Sequence, residues 1–169
     1  MKPPSRNGLH RSGRSIVVLS ACAALLVGTQ VNARQDSQPD RPMHISCNTT
    51  FAFTPTGSVH IEGLCHYTHL GATTVIADQI VIPQPDGTLS IVNSSVYTAA
   101  NGDQLFAVAV GTGQFTSPTS VIFSGTESYN GGTGRFVAAS GSLPFLGGAD
   151  FISAAAGTGH FDGSGVTSY

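Results

Sequence analysis

Three features of the sequence predict an all-β fold closed as an eight-stranded antiparallel up-and-down β-barrel. Turn signals divide residues 44–169 into eight β-rich segments with short connections. The phrase Gly-Thr-Gly-x-Phe occurs three times, at 111–115, 132–136 and 157–161. In a strand its two glycines and its Phe share one face, where the missing side chains let the sheet coil and a ring can cover the bared backbone. Residues 34–169 also hold only three Arg and no Lys against nine Asp or Glu. So few charges cannot guard open sheet edges, and closure removes the edges altogether, with an open sandwich as the alternative fold.

The chain is expected to begin with a secretory signal peptide over 1–33. Lys2, Arg6, Arg11 and Arg14 precede an apolar run at 16–27 and the small-residue site Val31-Asn32-Ala33. That run is shorter than the roughly 20 residues a membrane span requires. Cleavage after Ala33 is the expectation, giving a secreted or periplasmic protein. The rival is the lipobox-like Leu19-Ser20-Ala21-Cys22, which would anchor the chain through a lipid on Cys22. Residues 34–43, polar and holding Pro39 and Pro42, read as a flexible arm, and 44–169 as one barrel domain.

The first two strands are expected at 44–54 and 58–67, around the turn Pro55-Thr56-Gly57. Centring the hairpin on Thr56 sets Phe53 opposite Val59, Phe51 opposite Ile61, Thr49 opposite Gly63 and Cys47 opposite Cys65. The apolar face and the cysteines agree on that register, which predicts a Cys47–Cys65 disulfide of the kind exported domains carry. A looser connection at 69–72 leads to a strand at 73–83. Asp86-Gly87 and Asn101-Gly102 have the composition of two-residue type I′ turns. They delimit strands at 88–99 and 104–113, and the second turn then sets Tyr97 opposite Phe106. Ser117-Pro118 precedes a strand at 119–129, and 130–132 precedes one at 134–146. Gly147-Gly148 reads as a tight hairpin with Leu143 opposite Ile152. The last segment, 149–168, is long enough to call for a bulge near 157–159.

Charge excludes two classes of partner. Three Arg against nine acidic residues leave 34–169 at a formal −6. Nucleic-acid binding needs phosphate-neutralising Lys and Arg, and attraction to anionic membranes needs the same. No helical periodicity of useful length provides a membrane span. Phosphate-loop and nucleophile-elbow patterns fail as well, since Gly157-Thr158-Gly159 lacks the Lys and opens no helix.

Glu62 and Glu127 are the only glutamates, and both fall within strands. Alternation groups Glu62 with His60, Leu64 and His66, opposite the more apolar face of Ile61 and Cys65; it points to solvent if that apolar face is the lumen. Glu127 shares its face with Val121, Phe123, Gly125 and Tyr129, an apolar set in which desolvation would raise its pKa and fit it for proton transfer. Its structural alternative is a strand-end carboxylate held by a backbone donor or by Arg135. His60, His66 and His69 invite a metal reading, but strand positions three apart face opposite sides, so no metal site is expected.

Residues 130–141, Asn-Gly-Gly-Thr-Gly-Arg-Phe-Val-Ala-Ala-Ser-Gly, resemble the Gly-rich signature of the dirigent and allene oxide cyclase superfamily, most closely its secreted bacterial branch. Thr68-His69-Leu70-Gly71 and 97–103 resemble further phrases of that branch. The resemblance implies an eight-stranded barrel with an apolar lumen, assembled as a homo-trimer or dimer. It implies no particular reaction, because the superfamily holds both cyclases and proteins that only steer radical coupling. Three functions are therefore open. The first is a cofactor-free barrel that binds a small hydrophobic or amphipathic molecule through Phe51, Phe53, Phe106, Phe123 and Tyr129. The second is a cyclase or isomerase using Glu127 or Glu62. The third is a structural envelope barrel with a filled core.

Overall fold

A computed structural model describes residues 40–169. The expected leader, its Ala33 cleavage site, Cys22 and residues 34–39 of the expected arm lie outside the described residues. Eight strands run in chain order: β1 Arg41–Phe53, β2 Val59–Tyr67, β3 Gly71–Pro83, β4 Thr88–Ala99, β5 Gln104–Ser117, β6 Ser120–Gly132, β7 Ser140–Ser153 and β8 Ala156–Ser168. Each pairs antiparallel with the next, and β1 closes on β8 from Arg41↔Thr167 to Ala52↔Ala156. The eight-stranded up-and-down barrel is the fold the sequence predicts. Residues 41–43, expected in the arm, instead start β1, with Met43 buried.

Register follows turn chemistry. The β1–β2 hairpin pairs Cys47 with Cys65 and Phe51 with Ile61 as expected, and places the two sulfurs at bonding distance as a disulfide. Its loop is three residues, closed by Thr54 N donating to Ser58 O and Gly57 N to Thr54 O. The β4–β5 connection uses the same loop: Ala99 N donates to Asp103 O, Gly102 N donates to Ala99 O, and Gly102 sits at φ +88°. A type I turn completed by a left-handed glycine has three loop residues, where a type I′ turn has two. The pairing therefore becomes Tyr97↔Leu105 and Val96↔Phe106. That one-residue slip moves Phe106 to the other face of the sheet.

Two further expectations are corrected in the last third of the chain. Gly147-Gly148 is not a hairpin; both glycines lie inside β7, and the chain turns at 154–155. A Cβ on Gly147 would lie 2.7 Å from the Phe123 ring, so the glycine serves packing. The expected bulge at 157–159 is absent, and the irregularity falls at Phe151 to Ser153 of β7. Nor does a strand begin at 134. Residues Gly134–Phe136 form a short 3-10 turn, with Gly134 at φ +55°, where a Cβ would run into the Asp103 carboxylate. This copy of the repeated phrase leaves the sheet and drives Phe136, fully buried, into the end of the barrel.

The lumen is filled at that end only. Ile45, Tyr67, Tyr97, Leu105, Phe136 and Leu143 are the large buried side chains there, and Tyr169 packs on Phe136 with ring centroids 5.0 Å apart. Toward the other end, inward glycines sit opposite rings of the neighbouring strand: Phe51↔Gly157, Phe123↔Gly147 and Phe145↔Gly125. Each ring lies over the bared backbone, which is how a sheet coils without exposing its amides.

Candidate ligand cavity

The unfilled half of the lumen is a cavity of about 320 Å³. Its wall carries seven phenylalanines, Phe51, Phe53, Phe115, Phe123, Phe145, Phe151 and Phe161, with Val59, Ile61, Val81, Leu89 and Ile91 between them. Aromatic side chains at the mouth come from three different strand ends. Phe151 of β7 stacks on Phe53 of β1 at 6.3 Å and on Phe115 of β5 at 6.1 Å, and meets Phe51 edge-on at 5.2 Å. Phe53 and Phe115 remain 40% and 47% exposed, so this arch faces solvent on its outer side.

Glu127 marks the boundary between cavity and packed core. It projects from β6 into the lumen, lines the cavity and is only 2% exposed. Burial pushes its carboxyl up from 4.5 to about 7, against the opposing pull of a hydrogen bond from the Tyr97 hydroxyl. Its Oε1 has no hydrogen-bond partner among the described residues. Beneath it lie three tyrosines from alternate strands: Tyr67 (β2), Tyr97 (β4) and Tyr129 (β6). The Tyr67 and Tyr129 hydroxyls hydrogen-bond at 3.3 Å, and the Tyr67 and Tyr97 rings meet edge-on at 4.9 Å. Burial raises all three hydroxyls above the ordinary tyrosine value. They remain neutral donors near pH 7.

The other polar lining groups are uncharged. Thr49 Oγ1 donates to Gly159 O at 3.2 Å, and Ser95 Oγ donates to Asn93 Oδ1. Gln79, Asn93, Ala109 and Glu127 follow one another across β3 to β6 on a single row of the register. No cation lines the cavity among the described residues. Arg135 donates to His69 O at 3.0 Å and faces Asp103 at 3.7 Å, so it is not the partner of Glu127. Arg41 lies 5.1 Å over the Tyr169 ring.

Of the residues expected in the lumen, Phe51, Phe53 and Phe123 line the cavity. Tyr129 faces inward but sits in the tyrosine layer under the floor. Phe106 is outside, beside Val96 on the outer face, for the register reason given above. Glu62 is also outside, its side chain 65% exposed and 3.3 Å from His60 Nε2, so it cannot serve the lumen. His60 Nδ1 is 3.0 Å from Asp78, and these hydrogen bonds, that to Asp78 first, raise its pKa. His69 hydrogen-bonds the Pro42 carbonyl at 2.8 Å. The sequence reading missed Phe115, Phe145, Phe151, Phe161 and Tyr97. Phe115 and Phe161 were within reach, since each ends a copy of the repeated phrase.

No family model matches the chain, and no curated protein matches it. Among solved structures, a chain described as de novo design of transmembrane beta-barrels aligns at 11% identity, over 78% of this chain and 98% of its own, with a TM-score of 0.32. A likeness that weak carries no argument about function. Among the described residues no helix is long and apolar enough to cross a membrane.

Proposed function

We propose that this protein is a secreted or periplasmic barrel of the dirigent and allene oxide cyclase kind, exported by its leader, that holds one small hydrophobic or amphipathic molecule in its lumen. The observation that carries this reading is a cavity of about 320 Å³ walled by seven phenylalanines and floored by one buried carboxyl. Ligand sites of this size are mostly apolar with a few placed polar groups. The Cys47–Cys65 pair fits an oxidising compartment.

Native mass spectrometry of the protein purified from its host tests the reading. A retained hydrophobic small molecule is the expected result. Repeated recovery of the bare protein mass, together with failure to take up a neutral apolar dye, would overturn it.

A second reading is favoured by Glu127 itself. A carboxyl with a pKa of about 7 exists in both protonation forms at neutral pH, the condition for a general acid or base. Confined beside it, a reactive substrate would cyclise or isomerise without a cofactor. Once the retained molecule is known, turnover by Glu127→Gln decides the matter. Loss of turnover with binding retained supports catalysis, and unchanged turnover removes Glu127 from it.

A further inference from the structure

We infer that the cavity selects amphipathic cations, apolar molecules ending in one protonated amine, over neutral alcohols and over fatty carboxylates. This inference rests on the reading of the lumen as a binding site and names the chemical class of its occupant. Its basis is the charge and hydrogen-bonding inventory of the floor.

Glu127 Oε1 is buried and unpartnered, and the wall that surrounds it contains no Lys, Arg or His. Tyr97 donates to this carboxylate, but its Oε1 has no donor and the group has no neutralising charge, and an ammonium group brings both at once. An alcohol brings only the donor. A fatty carboxylate brings a second negative charge into a low-dielectric site, which is the costliest of the three. The ring faces of the phenylalanine wall carry partial negative charge as well, so they also favour a cation.

Along the register row the small Ala109 separates Glu127 from Asn93, whose Oδ1 already accepts from Ser95 Oγ. The titratable groups facing Glu127 are Tyr97 from β4, Tyr67 from β2 and Tyr129 from β6. All three hydroxyls stay protonated below pH 9, so Glu127 alone changes charge at the floor between pH 5 and 8.

The test uses the oxidised protein and three probes of matched chain length: n-octylamine, 1-octanol and octanoate, each displacing a neutral apolar dye. At pH 8 octylamine should bind about tenfold or more tighter than octanol, with octanoate weakest. Lowering the pH to 5 protonates Glu127 and should bring the amine-to-alcohol ratio toward one. Glu127→Gln should collapse that ratio at pH 8 and leave it flat with pH. If octanol binds but octylamine binds no better, or octanoate binds as well, the cation preference is wrong while the cavity reading stands. An amine preference that survives in Glu127→Gln, or does not fall toward pH 5 in the wild type, also overturns it. If the dye itself does not bind, the cavity reading fails; if it binds and octylamine does not displace it, the cation preference is overturned.

Discussion

Replacing Glu127 by Gln should make this barrel more stable at pH 8, although it removes a residue placed in the binding site. In the unfolded chain the carboxyl titrates near 4.5, and in the barrel near 7, with burial as the main cause. The folded state therefore holds its proton more tightly. Stability from this group is present in full below pH 4.5, is lost as pH rises through 7, and stays lost above that. At 1.36 kcal/mol per tenfold change in proton affinity, the loss amounts to about 3 kcal/mol. Gln has nearly the same shape and never ionises, so it escapes that cost. Its amide nitrogen, lacking an acceptor, gives back about 1 kcal/mol. The net gain at pH 8 is about 2 kcal/mol, or roughly 6–10 °C in melting temperature for a domain of this size. Urea unfolding of both proteins at pH 5, 6, 7 and 8, disulfide intact, reads the difference directly. His60 also loses a stabilising contribution as pH rises through its raised pKa, but it is present in both proteins and drops out of the comparison. A difference that is constant from pH 5 to pH 8, or a variant less stable at pH 8, would refute the assignment of a desolvated, ionisable carboxyl.

Other substitutions probe the frame and the mouth. Replacing both Cys47 and Cys65 by Ser opens a cross-link spanning 18 residues and should cost about 3 kcal/mol in chemical denaturation; an unchanged midpoint would mean the barrel hydrogen bonds already hold that register. Gly125→Ala would press its Cβ on the Val110 carbonyl oxygen and lie 2.8 Å from the Phe145 ring, for a loss of about 1–3 kcal/mol from packing, whereas Gly71→Ala meets open space but forces an L side chain to φ +72° and should cost about 1 kcal/mol through the backbone alone. Phe151→Ala removes the ring that joins Phe53 to Phe115 and should raise both the association and dissociation rates of an apolar dye in stopped-flow fluorescence. Rates that do not change would show that the arch does not limit entry.

The barrel was legible because its signals are local and redundant. Turn residues, alternation and the Cys47–Cys65 pair all constrained the same first hairpin, and its register is correct to the residue. Phe106 shows where such reasoning fails. Asn-Gly and Asp-Gly satisfy a type I′ turn and a type I turn with a left-handed glycine almost equally well, and the two differ by one residue. Gly147-Gly148 failed for another reason. A glycine pair marks either a turn or a close approach, and only the position of Phe123 across the sheet decides between them. Glu127 was found because its strand neighbours are apolar on one parity. Its tyrosine layer was not, since Tyr67, Tyr97 and Tyr129 lie on three strands and meet only through barrel closure.

The repeated phrase connects the frame to the site. In β5 and β8 its glycines remove side chains from the lumen wall; the Phe51 ring covers the gap at Gly157, while Gly111 packs on Gly125 of β6 and Gly113 against Ile91 and Val121. Rings held against the wall leave the axis open. The copy at 132–136 does the reverse: it breaks from the sheet and sends Phe136 inward, completing the plug with Leu105, Leu143 and the tyrosines. One phrase thus hollows the barrel at one end and helps stopper it at the other. The depth of the cavity follows from where the two effects meet, and Glu127 stands at that level on β6. Moved toward the mouth it would be hydrated, with an ordinary pKa and little selectivity. Moved into the plug it would be inaccessible to any ligand. Only at the boundary is a carboxyl both desolvated and within reach, and that position lets one acidic residue set the charge preference of an otherwise apolar chamber.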